Sequence, residues 1–399
     1  MTQWREIYDN PPCRRGTDCV KYDSLQERYG SAELIPLWVA DMDFPVAKEI
    51  SDAIIERCSH PVYGYHRVPD SYWRAVVRWI SKGYGFTPLA SELSYIPGIV
   101  RGIGYAINYY TAPGDRILIF SPVYHPFKML TEGNGRVCVE EPLKTDPATG
   151  RFEIDFESLE RRVEEQKPVM MILCNPHNPG GRQWSLDELR KIASVAARHN
   201  VIVISDEIHG DLMLDGKVHN SYFSAGEDAV KTGIMFGAPS KTFNIPGLVS
   251  SWIVTRNPEL RDGFYKWLEV NEFNAPTFYA TVSTEAAYEF GREWLGNTLR
   301  YIEENMDYLE SWIDEIAPIK SIRPDASYLV WLDCRALGLD QESLNRLFID
   351  AGLALNDGAM FGKEGEGYMR LNVALSRMKL GTAIDNLRNA VENLKKNKR

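Results

Sequence analysis

The sequence predicts an α/β protein with a large domain built on a mostly parallel β-sheet covered by helices, plus a smaller α+β domain. Three observations support this prediction. The middle of the 399-residue chain alternates short β-branched runs with longer amphipathic segments. The short runs are apolar throughout, which is typical of strands buried on both faces of a parallel sheet. After about residue 285 the pattern changes to long helices.

Four continuous apolar runs predict strands of the large domain, and each ends at a polar residue or a turn. In chain order they are residues 116–120, 169–174, 201–205 and 233–237. Between the second and third runs, Ser185 and Glu188 form a capping box that opens a helix to about Asn200. Because ligands bind beyond the carboxyl ends of parallel strands, the polar residues directly after these runs are the candidate site residues.

The chain is predicted to divide into an N-terminal arm over residues 1–45, a large domain over 46–285 and a small domain over 286–399. The arm is rich in proline and aromatic residues, and we expect it to pack onto the small domain. The small domain shows helical periodicity and one strand-like apolar run. These segments are residues 293–316 and 380–395 for the helices and 328–332 for the strand.

Composition excludes several classes of function. Lys and Arg total 45 against 55 Asp and Glu, and the net charge of −10 disfavours nucleic acid as a partner. No apolar stretch approaches the roughly 18 residues that a membrane span needs, and the N-terminal residues show no export signal. The six scattered cysteines form no CxxC pair and the seven histidines no metal-binding motif. We therefore expect a cytoplasmic protein with reduced thiols and no metal centre.

Four polar side chains at successive strand ends together indicate a cofactor. Tyr124, an asparagine of the segment 175–181, Asp206 and Lys241 each lie just after a predicted strand, and each alone has an ordinary structural explanation. Together they form the set that pyridoxal phosphate requires. The ring needs an aromatic stacking face, its phenolic oxygen a donor, its pyridine nitrogen a carboxylate and its aldehyde an amine.

Several motifs resemble the fold-type I pyridoxal-phosphate enzymes, the aspartate aminotransferase superfamily, over nearly the whole chain. They are NPHNPGG at 175–181, SDEIH at 205–209, SKTFN at 240–244 and MRLNVALSR at 369–377. Three segments are most similar to the MalY/PatB-type C–S lyases, also called cystathionine β-lyases. These are LWVADMDF at 37–44, YGY at 63–65 and again SDEIH. The resemblance implies a sheet of the seven-stranded type and a homodimer with shared active sites.

The resemblance also implies roles for residues around the cofactor ring. Lys241 would bond the cofactor's aldehyde carbon and later move the proton at the substrate Cα. Asp206 would keep the pyridine nitrogen protonated, Asn178 and His209 would hydrogen-bond the phenolic oxygen, and Tyr124 would stack on the ring. Ordinary aminotransferases of this fold usually carry tyrosine at the position of His209.

Further roles concern the phosphate and the substrate. The main-chain amides of Ile99 and Val100 lie at a predicted helix N-terminus, where they and the hydroxyl of Ser240 would bind the phosphate. Tyr65 would reach the phosphate from the neighbouring subunit. Arg370 matches the family's arginine for the substrate α-carboxylate, which a guanidinium grips with two parallel bonds.

The chain departs from the family pattern at three positions. Ala238 stands where many relatives have serine, and Val249 where many have arginine. Both of those residues usually contact the phosphate, so backbone amides, Ser240 and a tyrosine must bind more of it here. Gly180 stands where threonine is common in the family, and we expect this difference to be harmless to the site.

The predicted activity is β-elimination from cystathionine or a related S-substituted cysteine, which gives a thiol, pyruvate and ammonia. The alternative is a pyridoxal-phosphate aminotransferase. Both reactions need Lys241, Asp206 and Arg370, so the site residues by themselves do not separate them. A regulatory protein with a vestigial site is a third reading, and the intact residue set counts against it as the sole role. The sequence does not name the physiological sulfur substrate.

Overall fold

The computed structural model describes residues 3–313 and 318–397. Its helices are α1 Glu6–Asp9, α2 Val20–Asp23, α3 Leu25–Tyr29, α4 Lys48–Ser59, α5 Asp70–Gly83, α6 Ile99–Tyr110, α7 Pro126–Gly133, α8 Phe156–Gln166, α9 Leu186–His199, α10 Glu227–Thr232, α11 Pro239–Thr242, α12 Pro258–Val270, α13 Phe278–Phe290, α14 Arg292–Ile313, α15 Gln341–Asp350 and α16 Arg377–Asn397. Its strands are β1 Ile35–Pro36, β2 Leu93–Ile96, β3 Arg116–Ser121, β4 Val137–Pro142, β5 Lys144–Thr145, β6 Phe152–Glu153, β7 Met170–Cys174, β8 Ile202–Asp206, β9 Gly233–Gly237, β10 Ser251–Val254, β11 Lys320–Ile322, β12 Leu329–Asp333, β13 Leu353–Ala354, β14 Asn356–Asp357 and β15 Tyr368–Asn372.

A seven-stranded sheet forms the centre of the large domain, in the order β2-β10-β9-β8-β7-β3-β4. The β3–β4, β3–β7, β7–β8 and β8–β9 pairs are parallel, whereas β10 runs antiparallel to both of its neighbours. Every residue of β7 and β9 is buried, because helices cover both faces of a parallel sheet. The predicted fold class, a mostly parallel sheet of the seven-stranded type covered by helices, is confirmed.

All four strands predicted from apolar runs are present, within one residue at either end. Strands β2, β4 and β10 were not predicted, because their patterns are weaker. Strand β4 is an edge strand that carries Glu140 and Glu141, and edge strands need no continuous apolar run. Helix α9 begins with the predicted capping box, since the side chains and amides of Ser185 and Glu188 bond reciprocally.

The second sheet has four antiparallel strands in the order β11-β12-β15-β14. It belongs to the predicted small domain, together with α14 and α16. Residues 314–316 of the predicted helix 293–316 lie outside the described residues. The N-terminal arm contacts this domain directly, because β1 pairs in parallel with β13. Domain boundaries at residues 45 and 285 stay predictions. None of the described helices combines the length and apolar character that crossing a membrane requires.

Candidate active site

A cavity of about 300 Å³ opens at the edge of the large sheet where β3, β7, β8 and β9 end. The first turn of α6 and the short helix α11 complete its wall. The cavity brings together eight residues predicted from the sequence, namely Ile99, Val100, Tyr124, Asn178, Asp206, His209, Ser240 and Lys241. The parallel topology explains this convergence, since the carboxyl ends of neighbouring strands meet at one edge.

Lys241 lies on α11, directly after β9, and its amine donates a hydrogen bond to the carbonyl of Ala40. Burial lowers the pKa of the Lys241 amine to about 8, an effect that Arg370 adds to and that Asp41 and Asp206 oppose. About half of the amine is therefore neutral at pH 8 and about a tenth at pH 7. A neutral amine at the mouth of a cavity is able to attack an aldehyde carbon.

Asp206 is the last residue of β8 and is 4% exposed. Its Oδ1 accepts a hydrogen bond of 3.1 Å from the amide of Ile208, and it has no ion pair among the described residues. Burial raises the pKa of the Asp206 carboxyl to about 7. A cation placed against this carboxylate would offset its desolvation and lower the pKa again. A protonated pyridine nitrogen meets that requirement.

Two side chains in the cavity wall, His209 and Asn178, offer hydrogen-bond donors without acceptors among the described residues. Burial lowers the pKa of His209 to about 3, so its imidazole is neutral, and its Nδ1 is buried with no hydrogen-bond partner in the part of the chain that the structure describes. The Oδ1 of Asn178 accepts from Arg370 at 2.8 Å, which leaves the amide NH2 of Asn178 as a donor. An acceptor oxygen in the cavity would satisfy both side chains.

Arg370 lies on β15 of the small domain and is 5% exposed. Besides its bond to Asn178, it donates to the carbonyl of Trp38 at 3.0 Å and to Oδ1 of Asn356 at 2.6 Å. Burial lowers its pKa to about 10, so the guanidinium is still charged at neutral pH. No carboxylate pairs with it among residues 3–313 and 318–397, and its Nε has no partner there. A buried, unpaired guanidinium is suited to a substrate carboxylate.

The N-terminus of α6 forms an anion-binding turn. The amides of Ile99 and Val100 lie in its first turn. They come before the Gly102 amide, which donates a hydrogen bond to the Gly98 carbonyl. Amides at this position have no acceptor within the helix. Gly98 has φ of 103°, a value that favours glycine, and it directs these amides into the cavity wall. With the hydroxyl of Ser240 beside them, the residues fit the phosphate of the predicted cofactor.

The structure does not bring every predicted residue to the cavity. Tyr65 is fully exposed in the loop between α4 and α5 and does not line the cavity of its own chain. Its neighbour Tyr63 stacks on Phe278 with ring centroids 5.7 Å apart. Arg370 does not line the cavity and reaches it through its bond to Asn178.

Sequence reasoning missed several residues at the cavity. Ala40 lines it and binds Lys241 through its carbonyl, a role that carries no side-chain signal. Ser250 and Ser251 line it directly after Val249. Val249 has a left-handed φ of 53°, which a β-branched residue rarely adopts, and its carbonyl accepts a bond of 2.6 Å from Tyr95.

Known proteins resemble this chain over almost its entire length. Among curated proteins, it is 38% identical to cystathionine beta-lyase PatB of Bacillus subtilis (strain 168), covering 96% of this chain and 98% of that protein. It is 32% identical to protein MalY of Escherichia coli (strain K12), covering 95% and 97%.

Solved structures of pyridoxal-phosphate-containing proteins are also similar to this chain. Cystalysin from Treponema denticola, which contains a pyridoxal 5′-phosphate cofactor, superposes with a TM-score of 0.93 at 29% identity, covering 97% of this chain and 99% of that one. The PLP-bound C–S lyase from Staphylococcus hominis superposes with a TM-score of 0.89 at 32% identity, covering 96% and 97%. The sequence profile of the family "Aminotransferase class I and II" matches residues 33–387. The chain therefore belongs to the aminotransferase class I and II family.

Proposed function

We propose that this protein is a pyridoxal-phosphate-dependent C–S β-lyase that cleaves cystathionine or a related S-substituted cysteine to a thiol, pyruvate and ammonia. One observation carries the proposal. The amine of Lys241 and the unpaired carboxylate of Asp206 line one cavity, and the guanidinium of Arg370, which has no ion pair among the described residues, is bonded to Asn178 in its wall. This arrangement occurs in a chain 38% identical to a cystathionine beta-lyase. Each of these groups lacks the partner that the cofactor or an amino-acid substrate supplies.

The residues that would hold the cofactor follow from the geometry of the cavity. The α6 amides and Ser240 would bind its phosphate, Asp206 its ring nitrogen, and Asn178 and His209 its phenolic oxygen. Tyr124 would cover one ring face, and Lys241 would bond its aldehyde carbon. When bound, pyridoxal phosphate supplies an electron sink for the negative charge that develops at the substrate Cα.

The chain's own residues would bind the substrate and move its protons. Arg370 would orient the amino acid through its α-carboxylate, so that the Cα–H bond faces Lys241. The amine of Lys241 would take the Cα proton as general base, because its lowered pKa keeps part of it unprotonated near neutral pH. Loss of that proton allows the sulfur substituent to leave Cβ as a thiolate.

An aminotransferase is the second candidate, and the family match favours it as an alternative. Both activities use the same residues up to removal of the Cα proton. An assay separates them. With cystathionine, the purified protein is expected to release pyruvate and free thiol continuously without any added keto acid. A single turnover that only an added keto acid renews would contradict the lyase and identify a transaminase.

The covalent attachment point is a separate prediction. Borohydride reduction of the cofactor-loaded protein, followed by digestion and mass spectrometry, is expected to place a pyridoxyl group on Lys241, because its amine is the one that faces the cavity. Among the described residues, no other lysine lines this cavity. A pyridoxyl group only on another lysine, or none at all, would contradict the cofactor assignment.

We further propose a homodimer with shared active sites and a cytoplasmic location. The full exposure of Tyr65, outside its own cavity, supports a role in a neighbouring subunit. The six cysteines are all free in the structure, which suits a reducing compartment.

A further inference from the structure

The segment 38–44 borders the cavity at Ala40 and carries the acidic residues Asp41 and Asp43. Side chains from both domains hold its backbone. From the small domain, Arg370 donates to the Trp38 carbonyl, and Asn372 donates to the carbonyls of Val39 and Asp41. From the large domain, Lys241 donates to the Ala40 carbonyl, and Asn244 donates to the carbonyls of Met42 and Phe44. The segment therefore connects the lysine of the large domain with the arginine of the small domain.

Asp41 is the charged residue of this segment closest in sequence to Ala40, and the N-terminal arm fixes its side chain. Arg14 donates two bonds to the carboxylate, 2.9 Å to Oδ1 and 2.6 Å to Oδ2. Lys21 lies 3.6 Å from Oδ1 and donates to the Asp41 carbonyl at 3.3 Å. A paired guanidinium–carboxylate contact restrains orientation as well as distance.

A second acidic residue of the segment is bound by the earlier part of the N-terminal arm. Asp43 and Lys21 are both buried and pair at 2.9 Å. Tyr22 donates a short hydrogen bond to the other oxygen of Asp43, and Trp38 donates through Nε1 to the carbonyl of Lys21 at 3.0 Å. Residues 14–22 and the segment 38–44, both within the N-terminal arm, therefore form one hydrogen-bonded unit.

The link to Lys241 passes through the peptide bond between Ala40 and Asp41. The Ala40 carbonyl accepts from the Lys241 amine and also from the hydroxyl of Tyr328 at 3.0 Å. The adjoining side chain and carbonyl of Asp41 are both held, by Arg14 and by Asn372. This peptide unit therefore has little freedom to rotate away from the amine.

The charged groups that face the Lys241 amine come from three elements. Asp41 acts from the segment 38–44, Asp206 from the end of β8 and Arg370 from β15. His209 also lies nearby and is neutral. Of the two carboxylates, Asp41 raises the pKa of Lys241 more than Asp206 does, and so opposes the lowering of that pKa by burial.

We infer that Asp41 is a positioning residue for Lys241: held by Arg14, it fixes the Ala40 carbonyl on the lysine amine and keeps a negative charge beside it. The inference deepens the proposed function, on which it rests for the importance of Lys241. It gives a physical role to the acidic residues of the LWVADMDF motif.

The test measures Lys241 itself in the full-length chain freed of cofactor with hydroxylamine. Acetic anhydride labels lysine amines at a series of pH values, and mass spectrometry follows the Lys241 peptide. In Asp41→Asn, the apparent pKa of Lys241 is expected to fall by about half a unit or more, because a carboxylate that stabilises the ammonium is gone. Asp52→Asn is the matched control, since it removes the same charge from an exposed pair with Lys48 and is expected to leave the labelling curve unchanged.

Arg14→Lys tests the positioning part separately from the charge of Asp41. Lysine keeps the positive charge but does not form two parallel bonds. The limiting labelling rate of Lys241 at alkaline pH is expected to rise between about two- and tenfold, the worth of one weakened hydrogen bond. If Asp41→Asn does not fold, this variant carries the test.

Labelling curves of the folded variants that coincide with that of the unaltered chain would overturn the inference. The experiment needs no cofactor and no turnover, so its failure is distinct from failure of the proposed function. That function is contradicted instead if neither cystathionine nor another S-substituted cysteine is cleaved, or if Lys241 does not take up the pyridoxyl group.

Discussion

At the scale of single residues, the site contains two buried charged groups that have no ion-pair partner among the described residues. Asp206 and Arg370 are both at least 95% buried, and neither has an ion pair with the described residues. Such groups cost stability unless a ligand pairs with them. The chain carries this cost in its cofactor-free state, and the cofactor and substrate would remove it.

The pH dependence of stability in the cofactor-free chain should reveal this cost at Asp206. Its folded pKa is about 7 against an ordinary value of 3.8, so the folded state binds more protons than the unfolded state between these values. The carboxyl's contribution to stability is therefore present below about pH 4 and is lost as the pH rises through 7. The full loss amounts to at most about 4 kcal/mol.

The variant Asp206→Asn removes this titration while the amide oxygen still accepts from Ile208. We expect the cofactor-free variant to be more stable than the unaltered chain at pH 8, by about 2 to 4 kcal/mol, with a smaller difference at pH 5. Denaturant unfolding at the two pH values measures it. Parallel stability curves for the two proteins would contradict the raised pKa.

At the scale of secondary structure, short turns place the reacting groups. Helix α11 has only four residues, and it follows β9 directly so that Lys241 emerges at the sheet edge. Helix α6 begins after Gly98, whose positive φ starts the helix with its amides exposed to the cavity. The order of strand, turn and helix thus determines where the amine and the anion-binding amides lie.

The turn before α6 supplies a test at this scale. Gly98→Ala adds no clash, because no atom lies within 4 Å of the new Cβ, but it strains a φ of 103°. We expect the affinity for pyridoxal phosphate to fall about tenfold, or roughly 1.4 kcal/mol, measured by titrating the cofactor-free chain. Gly114→Ala is the matched control, with φ of 88° and equally open space in a turn away from the cavity.

If both alanine variants bind the cofactor as the unaltered chain does, the amides of α6 do not hold the phosphate. An equal loss of affinity in both would indicate a general loss of stability instead. The expected pattern is a loss in Gly98→Ala alone.

At the scale of the whole molecule, one chain supplies eight of the predicted site residues to its own cavity, whereas its Tyr65 lies outside that cavity. Other apolar side chains on α4, on the loop after it and on α13 are also exposed, namely Ile55, Val62, Tyr63 and Tyr279. A second copy of the chain would cover these side chains and receive Tyr65 in its own cavity. The proposed dimer would therefore complete both sites at once.

Complementation between two inactive variants tests the shared site. In a heterodimer of Lys241→Ala with Tyr65→Ala, one site carries both lesions and the other carries neither. Refolding the two variants together is expected to restore activity, up to one intact site per heterodimer. If each site draws both residues from its own chain, every site carries one lesion and the mixture stays inactive. Absence of recovery despite demonstrated subunit exchange would exclude the shared site.

The sequence by itself determined the α/β class, the central strands and the residues at their ends. Continuous apolar runs identify buried parallel strands, and parallel topology brings Asn178, Asp206 and Lys241 to one edge. The same local logic missed β2, β4 and β10, because the first two are edge strands and β10 is only four residues long and runs antiparallel to its neighbours.

Only the tertiary structure decided which distant groups meet at the site. The carbonyl of Ala40 binds Lys241 across 201 positions of sequence, and Arg370 reaches Asn178 across 192. A backbone carbonyl has no residue-type signal, and a pKa depends on burial that no local pattern encodes. The unpaired state of Asp206 and Arg370 is therefore a property of tertiary packing, and so is the pairing of Asp41 with Arg14 within the arm.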